Sequence, residues 1–156
     1  MNTPFQYKDS VKEHWVDYNG HMNDAAYAEV FSHAVDALMN YFGITEDVIH
    51  EQKYTIFTLE THLCYLQEVH QGEPITVEWQ LLDHDAKRLH VFFKMKNSNG
   101  DLVATSEQML MGMDQHLGKP SPFLPFIQEK IDRIWNEHEH LEQPKQAGRV
   151  IGIRRK

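Results

Sequence analysis

Residues 15–43, WVDYNGHMNDAAYAEVFSHAVDALMNYFG, join a polar loop directly to an apolar-periodic run. From Tyr27 the apolar positions are Tyr27, Val30, Phe31, Ala34, Leu38, Tyr41 and Phe42, a spacing of three or four that lines one side of a helix. Gly43 is a natural stop, because glycine tolerates the left-handed backbone that closes helices. Asn23 and Asp24 suit an N-cap and a first turn, so the helix is predicted to begin there, with Asp17 to Met22 as its approach loop. A helix start exposes unpaired N–H groups and carries partial positive charge. It can therefore stabilise an oxygen that becomes anionic during a reaction.

Upstream of that cap stands Asp17, followed by Asn19, Gly20 and His21. The spacing admits two readings. In one, Asp17 presents an unbonded carboxylate beside an oxyanion site formed by backbone N–H groups of Gly20 to Asn23. In the other, Asp17, Asn19 and Asn23 only close turn and cap hydrogen bonds.

Outward from this stretch, Phe5 to Val16 has a weak strand pattern anchored on Val11, Trp15 and Val16. After the helix, Ile44, Val48 and Ile49 are spaced for a short helical turn. From Thr55 to Leu66 the period changes to two, with Phe57, Leu59, Thr61, Leu63 and Tyr65 on one face and Thr58, Glu60, His62 and Cys64 on the other. Glu68 to Pro74 reads as a turn leading to Ile75, Val77, Trp79 and Leu81, and Asp83 to Lys87 closes a hairpin. The next strand sets Leu89, Val91, Phe93 and Met95 against Arg88, His90, Lys94 and Lys96. It ends in an Asn-Gly turn at Asn99 and Gly100, and the last strand runs from Leu102 to about Met113. Consecutive hairpins imply an antiparallel meander whose apolar face wraps the long helix, an α+β architecture. Pro120, Pro122 and Pro125 interrupt the pattern, and Phe126, Ile127, Ile131, Ile134, Trp135 and His138 then mark a second amphipathic helix, packed on the sheet or on a neighbouring subunit. The tail carries Arg149, Arg154, Arg155 and Lys156, read as a solvated terminus.

The 156 residues, 41% of them hydrophobic, suffice for one core, divided here into residues 1–118 and a C-terminal helix and basic tail, residues 119–156, packed on the same domain. A net charge of −8 disfavours general nucleic-acid binding, which depends on contacts to phosphate. Cys64, the single cysteine, has no internal partner and reads as a buried thiol. No basic-then-apolar leader and no membrane-length apolar run is present, so a cytoplasmic protein is expected. Eleven histidines fall into no metal-ligand spacing, so they are read as surface residues and no metal is expected.

The motif VDYNGHMN at residues 16–23, followed by Ala26 and Tyr27, resembles the Asp-x-x-Gly-His-x-Asn segment of acyl-CoA thioesterases of the 4-hydroxybenzoyl-CoA type. The similarity continues through YLQEVHQGEPITVEWQLLDHDAKRLHVFF and NGDLVATSEQMLM, over roughly residues 8 to 116. Together with KRLHVFF and the GRVIG tail, it looks most like the betainyl-CoA thioesterases of carnitine breakdown. The resemblance implies a hotdog fold, in which an antiparallel sheet wraps a long helix, and an acyl-CoA substrate. It also implies a homodimer or homotetramer, with sheet edges paired across a two-fold axis and the site between subunits. Asp17 matches the acid that attacks the thioester carbon or activates water to do so. Gly20, His21 and Asn23 join it in the catalytic group. Trp15, Tyr18, Asn19, His62 and Tyr65 fall on the substrate side, with His62 beside Glu60 either lining a neighbour's pocket or making an ordinary cross-strand pair.

Hydrolysing a thioester needs a nucleophile at the carbonyl carbon and a stabilised oxyanion, and thiolate leaves with little help. One carboxylate and one helix start are sufficient, and no cofactor is required. For a quaternary ammonium acyl group, Trp15, Tyr18, Tyr65 and Trp79 are candidate cage walls, with core packing the competing use of Trp15 and Trp79. Lys87, Arg88, Lys94, Lys96 or the tail arginines are candidates for CoA phosphates. Two other readings stay open: a hotdog dehydratase using His21 with Asp17, and a non-catalytic acyl-CoA or small-ligand binding protein.

Overall fold

The computed structural model describes residues 4–155. Its long helix α1 spans Asp24–Tyr41 and buries Tyr27, Val30, Phe31, Ala34 and Leu38, the stripe read from the sequence. Asn23 caps it by accepting the Ala26 N–H at 2.9 Å. Past its end Gly43 takes φ +89°, with the Phe126 ring only 3.2 Å from where a Cβ would stand. Helix α2 follows at Glu46–Gln52, capped by Thr45.

Strands β1 (Tyr7–Ser10), β2 (Tyr54–Tyr65), β3 (Pro74–His84), β4 (Arg88–Lys96), β5 (Leu102–Asp114) and β6 (Lys119–Pro120) form one antiparallel sheet in the order β1-β3-β4-β5-β2, with β6 beside β5. This curled sheet wrapped on α1 is the hotdog architecture. Phe31 of α1 meets Phe93 of β4 with ring centroids 6.3 Å apart. Leu89, Val91, Phe93 and Met95 are fully buried.

Four expectations change. The sheet is not a simple meander, because β2 pairs with β5 and the segment from Leu66 to Glu73 crosses from the β2 edge to β3, beside β1 at the opposite edge. Alternation tells which face of a strand is buried but not which strand lies beside it. The first strand ends at Ser10, and Trp15 belongs to a short 3-10 turn, Glu13–Trp15, closed by its N–H bond to the Lys12 carbonyl. A β-bulge at Leu59 divides β2: Thr58 pairs with Leu110 and Glu60 with Met109. The extra residue reverses the alternation. Thr61, Leu63 and Tyr65 therefore share the inner face with Ile56 and Thr58, and Phe57 joins Glu60, His62 and Cys64 on the outer face. Cys64 is half-buried there rather than buried.

Helix α3, Pro125–His138, has Pro125 in its first turn and buries Ile127, Ile131 and Ile134 in the cluster that contains Phe42. Its last-turn His138 accepts the Leu81 N–H through Nδ1 at 2.9 Å, next to a second bulge between Leu81 and Asp83. The chain then passes over the outer face of the sheet. The Gln80 amide donates to the Glu142 carbonyl at 3.3 Å, and Glu107 accepts the Gly148 N–H at 2.8 Å. Phe92 lies between Gln80 and Glu107 in the register and is fully buried beneath this segment, although its strand position is on the outer side.

Candidate active site

The approach loop is a closed turn tied to its surroundings. Val16 bridges to Met22, the Asp17 N–H donates to the His21 carbonyl at 2.9 Å, and the Gly20 N–H donates to the Asp17 carbonyl at 2.9 Å. Gly20 sits at φ +81°, where a side chain would be strained. Outside the loop, the Met22 N–H donates to Val69, His21 bridges to His70, and the Asn23 N–H donates to Trp15. The crossover after β2 thus forms the floor on which the loop rests.

Asp17 is exposed, and of the two readings left open for its carboxylate the turn-closing one holds for one oxygen. Oδ1 accepts the N–H groups of Asn19 (2.8 Å) and His21 (3.2 Å), an Asx-type closure of the turn. Among the described residues Oδ2 receives no hydrogen bond. The expected oxyanion donors are also corrected. The N–H groups of Gly20, His21, Met22 and Asn23 are all engaged within the chain. The first-turn amides Asp24 and Ala25 are the ones a helix start leaves over, since the Ala26 amide goes to the cap.

At this helix start lies a cleft of 320 Å³ lined by Met22, Asp24, Tyr27, Tyr65, Leu66, Gln67 and Glu68. The Tyr27 and Tyr65 rings meet edge to face, centroids 5.2 Å apart. Their hydroxyls donate to the carbonyls of Gln67 (3.3 Å) and Asp24 (3.4 Å). Burial raises both phenol pKa values above the ordinary 10.0, with the Asp24 charge adding for Tyr65, so both remain neutral at physiological pH. A groove of 450 Å³ extends along the same sides of α1 and β2, lined by Ala28, Phe31, Ser32, Val35, Thr58, Thr61, Leu63 and Gln108.

Of the residues expected on the substrate side, Tyr65 lines this cleft. Trp15 is 3% exposed in the core, its indole N–H donating to Glu29 at 2.7 Å, and Tyr18 is 98% exposed on the loop. Asn19 is exposed and serves the turn through its backbone. Trp79 packs against Phe42 and His138, beyond the other end of α1. His62 lies on the outer face with Glu60, His90, Glu107 and Arg149 around a 200 Å³ depression, so this chain does not bring it to Asp17. His21 turns its Nε2 to Glu68 at 3.2 Å, with its ring against His70. Asn23 is the helix cap. Among the phosphate candidates, Arg88 is paired with Asp85 at 2.6 Å, which holds that carboxyl down at about 2, and Lys96 is paired with Glu78 at 3.2 Å.

Asp24, Tyr27 and Glu68 were not read as site residues. Tyr27 looked like core because it is core: it is 4% exposed, and only its cleft-side edge is free. The small residues Ala28 and Ser32, one turn apart, were the available signal for a groove.

Among the described residues, no His, Cys, Asp and Glu cluster is placed to hold a metal ion, and no helix is long and apolar enough to cross a membrane.

The thioesterase-like superfamily model matches residues 11–131. A betainyl-CoA thioesterase of Pseudomonas aeruginosa is 39% identical over 94% of this chain and 93% of its own length. A longer Rhizobium meliloti protein, L-carnitine dehydrogenase/betainyl-CoA thioesterase, is 36% identical over 93% of this chain, which spans 29% of it. A Staphylococcus aureus protein solved in complex with CoA superposes with a TM-score of 0.91 at 32% identity, over 97% of this chain and 96% of that one. These likenesses show the family: the chain belongs to the thioesterase-like superfamily.

Proposed function

We propose that this thioesterase hydrolyses a short acyl-CoA whose acyl group carries a fixed positive charge, of the betainyl type. The cleft at the start of α1 carries the proposal. It is lined by Tyr27, Tyr65 and the acidic residues Asp24 and Glu68, at the helix start whose first amides the cap leaves over. A quaternary ammonium has no N–H to donate, and ring faces with nearby negative charge are what hold it. The short acyl arm then leaves the thioester carbonyl at the Asp24 and Ala25 amides, which stabilise the oxyanion. Asp17 acts through Oδ2, either adding to the carbonyl carbon or taking a proton from the attacking water. Collapse of the adduct breaks the C–S bond. The thiolate leaves and is protonated. In the water route this frees the acid directly, whereas direct addition leaves an Asp17-acyl anhydride that water then hydrolyses to the free acid and the Asp17 carboxylate.

The assembly proposed with this chemistry is a two-fold dimer. β2 is an edge strand of twelve residues, and an uncovered edge of that length calls for a partner.

A binding protein without catalysis is the second reading, favoured by one observation: the Oδ1 bonds to Asn19 and His21 are those of a turn-closing aspartate. Release of free CoA thiol decides between them, measured on betainyl-CoA, 4-hydroxybenzoyl-CoA and short fatty acyl-CoAs. Hydrolysis with preference for the cationic ester is expected. CoA-ester binding with no thiol release from any ester establishes the second reading.

A further inference from the structure

The last residues of the chain are apolar where solvent should make them polar. Val150 is 79% exposed, Ile151 86% and Ile153 80%, three aliphatic side chains in four positions. Single exposed aliphatics are ordinary on protein surfaces, but a contiguous group marks an interaction surface.

The preceding segment is not loose. Pro144 is buried, the Ala147 N–H donates to the Pro144 carbonyl at 3.0 Å, and Glu107 holds the Gly148 N–H. Arg149 lies at the depression formed with Glu60 and His62 of β2. The tail is therefore delivered to the outer face beside the free β2 edge, where Phe57 and Leu59 are also half exposed.

Charge points the same way. The last eight residues contain Arg149, Arg154, Arg155 and Lys156 and no acid. With 15 basic and 23 acidic residues in all, residues 1–148 carry 11 − 23 = −12 and the tail +4. The tail is complementary to the body of this chain, yet its aliphatic side chains are not seated on that body.

We propose that residues 149–155 dock on a second copy of the chain, crossing the paired β2 edges so that Val150, Ile151 and Ile153 cover the Phe57 and Leu59 patch of that copy. Arg154 and Arg155 then meet the acidic body of that copy, while Arg149 stays at the depression of its own chain. This inference rests on the two-fold assembly proposed above. It adds a reciprocal strap to that dimer, with each tail buried by the other copy.

The test uses the full chain. In the V150S/I151S/I153S variant, sedimentation equilibrium is expected to show a dimer dissociation constant raised about tenfold or more, as when anchoring side chains leave an interface. In R154E/R155E a smaller rise is expected, growing as salt is lowered. A photo-crosslinking residue at position 151 is expected to give a covalent dimer. An unchanged dissociation constant with only intramolecular crosslinks overturns the strap and leaves the edge-paired dimer standing. A monomeric wild type overturns both. Tail-dependent dimerisation without thiol release from any acyl-CoA leaves the strap standing and rejects the catalytic reading. Tail-dependent co-sedimentation with phosphatidylglycerol-containing vesicles at unchanged mass assigns the tail to an anionic membrane surface and overturns the strap.

Discussion

The two ends of α1 contain similar residues and do different work. Each has aromatic rings, carboxylates and a histidine. At the start are Tyr27, Tyr65, Asp17, Asp24, Glu68 and His21; at the end are Tyr41, Trp79, Glu78, Glu137 and His138. At the far end the polar groups are largely taken up by structure. His138 accepts the Leu81 N–H, Lys130 donates to the Tyr41 carbonyl and lies 4.2 Å from its ring centroid, and Glu78 pairs with Lys96. At the start, among the described residues, the Asp24 and Ala25 amides and the Asp17 Oδ2 oxygen take no internal hydrogen bond. Residue type alone does not mark a site; unused hydrogen-bonding capacity beside a cleft does.

The contrast breaks if the far end proves catalytic or the near end proves structural. Phe42→Ala removes a ring 2% exposed between Tyr41 and Trp79 and is expected to destabilise the chain by about 3–5 kcal/mol. Its kcat per folded molecule should hold near the wild-type value. A urea titration paired with active-site counting checks this, and a lost kcat in fully folded protein would join the two ends functionally.

Asp17→Asn is expected to do the reverse. Thiol release should fall by at least about a hundredfold, with the urea midpoint little changed because Asn retains an oxygen for the Asx turn. Wild-type turnover in this variant removes Asp17 from the mechanism.

Tyr65→Leu sharpens the comparison within the cleft. Loss of one ring face should lower kcat/KM for a cationic acyl-CoA about fivefold to tenfold relative to a neutral one of equal size. Equal loss for both esters would assign Tyr65 to shape alone.

The smallest effect concerns His138. Burial lowers its pKa below the ordinary 6.5, and Nδ1 must be unprotonated to accept the Leu81 N–H. The native state therefore binds this proton less readily than the unfolded chain does. The stability it contributes is fully present above pH 6.5 and is lost as pH falls from there through the folded value. Urea midpoints at pH 7.5 and 5.5 should differ more for the wild type than for His138→Gln. Equal differences in the two proteins would show that His138 does not titrate with folding.

The helix, its Asn23 cap, its Gly43 stop and the faces of β3 and β4 were legible because each follows from local periodicity or capping chemistry. The place of β2 was not, since its residues pair with β5 positions far along the chain, from Tyr65 opposite Ala104 to Tyr54 opposite Asp114, and nothing local distinguishes β5 from β3. Asp17 and Tyr65 were read from the loop motif and the strand face, and the structure places Tyr65 on the cleft at the start of α1. Tyr27 was read only as core because one ring can fill a core and wall a cleft at once. The engaged amides of Gly20 to Asn23 depend on Trp15, Asp17 and Val69 carbonyls and the Asp17 side chain, a three-dimensional bookkeeping that spacing does not reveal.

The bulge at Leu59 has an evolutionary consequence. Because Leu59 stands outside the ladder, a gene lineage could lose that codon and keep Thr61, Leu63 and Tyr65 facing α1. A codon gained or lost between Glu60 and Tyr65 has no such refuge and would tend to exchange Tyr65 for Cys64 in the cleft wall. Indels in homologous genes should therefore concentrate at the position of Leu59 and avoid the codons that follow it.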